Sequence, residues 1–263
     1  MAEIDVLQTG KMLVSSAVHN RDSKSGKFAY TGLFQSKKGR NDVPVKAFLI
    51  RINGKNVLVD TGWSEQCAIN PRHHLGLALY FSSQPTVTLN DSVARQLNAL
   101  GITPKQLDAV ILTHLDCDHV SGLKDLKDAK HIYATKEELE ISLLPNPRYR
   151  KALWQGVEIE PIEMNYDSRA PFGKSCDLFG DGSVRIVYTP GHSAGSVCVV
   201  IKQNGKMAVS EKSWSELILS GPIHNIQNMK ISLRWLNKMY KNENCVAVLT
   251  AHDKDYKQTK IEF

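Results

Sequence analysis

An α/β fold is predicted by three features of the 263-residue chain. Short apolar runs of strand length recur along it, and amphipathic stretches of helical length fall between them. Hydrophobic residues make up 42% of the sequence, enough for a sizeable packed core. In chain order, Val45 to Ile52 and Lys55 to Val59 are apolar runs separated by Asn53-Gly54, a hairpin signal. Residues 63–90, with Pro71, Pro85 and several serines, predict a long loop that shapes a pocket. Asp91 is placed to cap a helix running to Leu100, with Val93, Leu97 and Leu100 on one face and Gly101 as its stop. Ala109 to Leu112 is a buried strand. Thr135 with Glu138 forms a capping-box pattern opening a helix to Leu144, ahead of Pro145. Val184 to Tyr188 is a strand, and Ser196 to Lys202 pairs with Lys206 to Ser210 across Asn204-Gly205. A helix over Asn228 to Lys241 carries Leu233, Leu236 and Tyr240, and Val246 to Thr250 is a last buried strand.

Residues 1–263 are expected to form a single domain. No apolar stretch approaches the roughly 18 residues that a membrane-spanning helix needs. Met1-Ala2-Glu3-Ile4-Asp5-Val6 has neither the basic flank nor the apolar segment of a signal peptide, so a cytoplasmic location is expected. The five cysteines are widely spaced, odd in number and contain no CxxC pair, which argues against a disulfide framework and against a thiolate zinc site. Cys117 is read as a small space-filling residue. The net charge of +6 is spread over short basic groups, among them Arg148 to Lys151, without interleaved aromatic residues. These groups are read as solvated surface, and neither a nucleic acid nor a membrane is expected as partner.

The segment Thr113-His114-Leu115-Asp116-Cys117-Asp118-His119 follows the Ala109–Leu112 strand and concentrates imidazoles and carboxylates at its end. Such a set suits a metal centre that activates water. Candidate residues elsewhere also sit just after strands: Asp60 in Val59-Asp60-Thr61-Gly62, His192 in Thr189-Pro190-Gly191-His192, and His252 in Ala251-His252-Asp253. Strand ends aligned along one sheet edge can bring such loops together. His19, His73, His74, His131 and His224 carry no comparable neighbours and are read as ordinary surface or core histidines.

These landmarks, with Ser193-Ala194-Gly195-Ser196 and the stretch Ala208 to Trp214, resemble the metallo-beta-lactamase superfamily and, within it, the N-acyl homoserine lactonase-like and glyoxalase II-like hydrolases. The resemblance runs along most of the chain. It implies an αββα sandwich of two mixed β-sheets flanked by helices, with a dinuclear metal site at one edge. Carried over residue by residue, it makes His114 and His192 ligands of a first metal and Asp118, His119 and His252 ligands of a second, with Asp60 the buried carboxylate that orients the metal loop. Two positions depart from the pattern. Asp116 stands where the family usually has His; two residues from His114 in extended chain, it can face the same metal. Glu211 aligns with the bridging Asp, and its extra methylene moves the carboxylate by on the order of 1.5 Å. Trp214 stands where lactonases often carry Tyr; it offers only an N–H and is read as a pocket wall.

The resemblance implies a hydrolase in which metal-activated water attacks a carbonyl, with Asp118 orienting the nucleophile and passing a proton to the leaving group. A lactone of the N-acyl homoserine lactone type leads as substrate. A glyoxalase II-type thioester and a phosphodiester are alternatives, and a metal-binding family member without catalysis is the contrasting class. Two Zn2+ ions per chain are expected, with Mn2+ or Fe as the harder alternatives that a carboxylate-rich site admits. The expected partner is a small-molecule substrate; a homodimer is left open.

Overall fold

The computed structural model describes residues 1–15, 39–210, 224–254, 256 and 258–263. Two mixed sheets lie face to face among these residues. The first contains β1 (Glu3–Ser15), β2 (Arg40–Ile52), β3 (Lys55–Val59), β4 (Ser83–Thr86), β5 (Ala109–Ile111), β6 (Ile132–Thr135), β7 (Glu160–Ile162) and β14 (Lys260–Glu262), in the order β14-β1-β2-β3-β5-β6-β7 with β4 on β1. The second contains β8 (Asn165–Tyr166), β9 (Lys174–Asp177), β10 (Val184–Tyr188), β11 (Val197–Gln203), β12 (Lys206–Ser210) and β13 (Cys245–Leu249), in the order β13-β12-β11-β10-β9-β8. The steps β3-β5, β5-β6, β6-β7 and β12-β13 are parallel and the others antiparallel.

The strands read as continuous apolar runs because both of their faces are covered. Alternate residues go to different layers, as a period of two requires. Phe48, Ile50 and Ile52 of β2, Val57 and Val59 of β3, and Ala109 and Ile111 of β5 point between the sheets, where they meet Ile186, Val197, Val199 and Ile201 of the second sheet. Their neighbours Ala47, Leu49, Leu58 and Val110 point outward onto Cys67 of α1 (Glu65–Ile69), Leu75 of α2 (Pro71–Ser82) and Val93 and Leu97 of α3 (Val93–Ala99). On the far side Val187, Cys198, Val200 and Val209 pack on Met229, Leu233 and Leu236 of α6 (Ile226–Tyr240). The layers are therefore helix, sheet, sheet, helix, as the family resemblance implies. The two short helices α4 (Cys117–Val120) and α5 (Lys136–Leu143) follow β5 and β6.

Two local expectations are corrected and one strand is new. Residues 63–90 are largely regular: Pro71 opens α2, where its missing N–H is one the helix leaves unused, and the Asn70 side chain caps by accepting from His73 N. Ser92, not Asp91, caps α3, accepting from Arg95 N, while Asp91 closes the preceding turn on Thr88 N. Strand β1 has no counterpart in the sequence reading. The polar Gln8-Thr9-Gly10-Lys11 interrupts its apolar pattern at the point where its register with β2 shifts. The Asn53-Gly54 hairpin forms with both residues at positive φ, 50° and 73°. No described helix is long and apolar enough to cross a membrane.

Candidate metal centre

Loops leaving the ends of β5, β10 and β13 converge at one edge of the sandwich and assemble two adjoining groups of side chains. His114, Asp116 and His192 form one; Asp118, His119 and His252 form the other, with the ligand atoms within each group all inside 4.8 Å of one another. The groups touch through the rings of His114 and His119, whose centroids are 3.9 Å apart. The ring centroids of His114 and His192 lie 4.8 Å apart, and those of His119 and His252 lie 5.5 Å apart. Each group joins residues from the loop after β5, in the first sheet, to one residue from the second sheet. Glu211 and Trp214 lie outside the described residues.

Asp60 organises the loop. Its Oδ1 accepts from Thr113 N at 2.8 Å, and its Oδ2 accepts from Thr113 Oγ1 at 2.8 Å and from His119 Nδ1 at 2.7 Å. A carboxylate only accepts, so His119 carries its proton on Nδ1. The Thr113 hydroxyl spends its one proton on Asp60 and so accepts from His114 Nδ1 at 3.0 Å. The carbonyl of Pro44 in β2 likewise accepts from His252 Nδ1 at 2.9 Å. One side chain, one hydroxyl and one carbonyl thus turn three Nε2 lone pairs toward the centre. Asp60 holds this place with φ of 60°, a left-handed conformation that is uncommon outside glycine.

The atoms facing each other fit a cation better than they fit one another. His119 Nε2 is 3.3 Å and His252 Nε2 3.2 Å from Asp118 Oδ2, yet all three atoms are buried and none of the contacts has hydrogen-bond geometry. Buried polar atoms that converge without such bonds are costly unless an ion satisfies them. Imidazole and carboxylate are the donor set that zinc and comparable divalent ions take. Burial pushes the Asp118 carboxyl up, but His119 and His252 outweigh it and hold it well below the usual range. Burial also pushes the His119 imidazolium down; Asp60 and Asp118 overcome this and raise it to about 9, so at neutral pH a cation at Nε2 would have to displace a ring proton there, while the Nδ1 proton stays donated to Asp60.

Two residues that sequence reasoning missed hold the first group. Arg148, read as part of a solvated basic stretch, is largely buried, with 12% of its side chain exposed. Its Nε and Nη2 fork onto the two Asp116 oxygens, and its Nη1 donates to His192 O at 2.7 Å. Glu138 is the second. Thr135 caps α5 by accepting from Glu138 N, but the Glu138 carboxylate does not close the capping box. It accepts instead from Leu115 N and Gly195 N, each at 3.0 Å, and from Tyr149 Oη, so it ties the His114 loop to the His192 turn. The turn itself is pressed between helices. A Cβ on Gly191, at φ of 141°, would lie 2.3 Å from Met229 N, and one on Gly195 would lie 2.1 Å from Thr135 Oγ1. Spacing gave no sign of Arg148, and the local capping pattern masked the long-range role of Glu138.

Cys117 packs into the outer core, and its thiol is pushed far up by burial, so it is the space-filler expected. All five cysteines are free. His74 lies behind the loop, its Nε2 2.9 Å from Ser121 Oγ. Burial pushes its pKa from 6.5 to about 4. As pH falls from 6.5 toward 4 the unfolded chain therefore takes up a proton that the folded chain refuses, and stability is lost across that window. His74→Gln should make the unfolding free energy fall less steeply between pH 7 and pH 5 than in the parent. Parallel slopes in urea titrations at the two pH values would remove His74 as the source.

The model of the metallo-beta-lactamase superfamily matches residues 40–209. The chain is 26% identical to the N-acyl homoserine lactonase AttM of Rhizobium radiobacter over 230 residues, 81% of this chain and 83% of that protein. In fold it is similar to an N-acyl homoserine lactone hydrolase solved with N-hexanoyl-L-homoserine at its catalytic metal centre, with a TM-score of 0.74, 21% identity, and 96% and 94% of the two chains covered. It is likewise similar to the dizinc quorum-quenching lactonase AidC, with a TM-score of 0.65, 15% identity, and 95% and 87% covered.

Proposed function

Because the chain belongs to the metallo-beta-lactamase superfamily, we propose that it is a metal-dependent hydrolase that opens a lactone of the N-acyl homoserine lactone type. The observation that carries the reading is the pair of adjoining His/Asp groups, each drawn from both sheets and each turning its ligand atoms toward a common point. His114, Asp116 and His192 would hold one divalent ion and Asp118, His119 and His252 a second, with zinc as the ion. Such ions, when bound, lower the pKa of a coordinated water and polarise a carbonyl.

The chain's own residues supply the rest. Asp60, Thr113 and Pro44 fix the imidazole tautomers before any ligand arrives. Asp118, ionised at neutral pH, is placed to take the proton of the attacking water and return it to the ring oxygen as the C–O bond of the lactone breaks. Helices α1 and α2 expose Ile69, Leu77 and Phe81, and α2 is tied to the centre through His74 to Ser121 and through Arg150 to the carbonyls of His73 and His74. These apolar residues suit an acyl tail better than a charged or nucleotide substrate.

Purified protein should hydrolyse N-hexanoyl homoserine lactone in preference to thioesters and phosphodiesters. It should lose turnover on chelation and regain it with zinc, and elemental analysis should find two ions per chain. Undiminished hydrolysis by protein shown to be metal-free would sink the proposal, and a preference for thioesters would replace its substrate.

A further inference from the structure

Along β2 the positions that face the space between the sheets run Ile52, Ile50, Phe48 and then, by alternation, Lys46. The first three are apolar; the fourth is a lysine that is only 3% exposed. A buried ammonium is costly unless its protons are taken up. Here main-chain oxygens take them: Lys46 Nζ donates to Asp253 O at 2.6 Å and to Tyr256 O at 3.0 Å, and it lies 5.5 Å from the centre of the Tyr256 ring. Burial lowers the pKa of this ammonium, with Asp253 pulling the other way. Both oxygens belong to the segment that leaves β13 after Leu249 and crosses from the second sheet to the first, where β14 pairs with β1. The crossing is polar, Asp253-Lys254-Asp255-Tyr256-Lys257-Gln258-Thr259, so it has little apolar side chain with which to seat itself. It carries His252, whose Nδ1 meets the carbonyl of Pro44. Pro44 lies two residues from Lys46 and beyond Phe48, where the pairing of β2 with β3 stops.

We propose that Lys46 is the positioning residue of His252: its ammonium clips the crossing onto β2 through the carbonyls of Asp253 and Tyr256, and so sets the place from which His252 Nε2 faces Asp118. The inference rests on the reading of Asp118, His119 and His252 as one cation position. An ammonium suits the task because its three protons sit on a rotatable head and can follow two carbonyls from different parts of one segment. Precision is what the clip contributes. Coordination lengths tolerate only about 0.2 Å, so a histidine on an unclipped crossing would reach the ion at a cost. His119 is fixed separately, through Asp60, and the His114–Asp116–His192 position takes no residue from the crossing. Loss of the clip therefore falls on one position and spares the other.

Metal-free protein titrated with Zn2+ against a chromophoric chelator, and with Co2+ by its visible absorption, tests the proposal. The parent should take up two ions, and His252→Ala marks the uptake that belongs to the Asp118–His119–His252 position. Lys46→Met removes the ammonium at similar side-chain volume and should weaken that uptake by about tenfold, leaving the other as in the parent. Its Co2+ spectrum at that position should move toward the spectrum of His252→Ala. Combined with His252→Ala, Lys46→Met should cost nothing further, because the lysine acts through the histidine. Lys46→Gln, whose shorter amide can still donate to one carbonyl, should lie between Lys46→Met and the parent; it is read in the same way if Lys46→Met does not fold. Equal weakening of both uptakes, the same loss with and without His252, or a lower Tm with both affinities unchanged would overturn the proposal while the metal centre stands. A parent that binds no cation would overturn both.

Discussion

Replacing Asp60 by Asn should weaken cation binding as severely as replacing it by Ala, by about tenfold to a hundredfold. Asn nearly matches Asp in shape and tolerates the left-handed backbone found at this position, φ of 60°, so folding should be little disturbed. The loss comes from the proton. Asp60 accepts from His119 Nδ1 and from the Thr113 hydroxyl, which in turn accepts from His114 Nδ1. An amide nitrogen in place of Oδ2 donates, so His119 Nδ1 must accept, its proton moves to Nε2, and the lone pair facing Asp118 and His252 is gone. Ala loses the same acceptors and adds backbone strain of about 1–3 kcal/mol. The two variants should therefore share one metal affinity and differ in Tm. If the Asp60→Asn protein binds zinc as the parent does, the tautomer is set elsewhere.

The second large effect is expected at Glu138. Its carboxylate is buried and accepts from Leu115 N, Gly195 N and Tyr149 Oη. Glu138→Ala strands three buried donors and should cost about 3–5 kcal/mol. In a chain of this size that lowers Tm by roughly 10 °C. Gln keeps one acceptor oxygen but offers an NH2 to the other backbone N–H, so it should recover only part of the loss. Because Glu138 joins the His114 loop to the His192 turn, the cation position shared by those two residues should weaken while that of Asp118, His119 and His252 holds. Thermal melts with cation titration check both points; a Gln variant as stable as the parent would demote the tether to a spectator.

Much of this site is legible in the sequence because the chemistry is local. His114 to His119 sit within one short loop, and Asp60, His192 and His252 each follow a strand long enough to be recognised. The alternating outward and inward residues of β2, β3 and β5 likewise announce two covered faces. What stays hidden depends on contacts between distant segments. Nothing near Arg148 distinguishes it from its solvated neighbours; only the fold sets it against Asp116 and His192. Glu138 has a local explanation that is sufficient in sequence and wrong in space, since its carboxylate reaches Leu115 and Gly195. Strand β1 escapes because a polar bulge interrupts its pattern. The helices within 63–90 escape because Pro71 signals a break and a helix start equally well.

Each trio of ligand residues takes members from the β5 loop of one sheet and a single histidine from the other, His192 after β10 or His252 after β13. An ion seated in either trio is a rivet through a laminate. The apolar layer between the sheets resists separation but is nearly indifferent to small sliding, because hydrophobic contact has no direction. Coordination bonds do have direction, and two such rivets side by side at one rim would stop the sheets from shearing or pivoting there. The same atoms that suit the centre to chemistry would thus also set the alignment of the two halves of the sandwich.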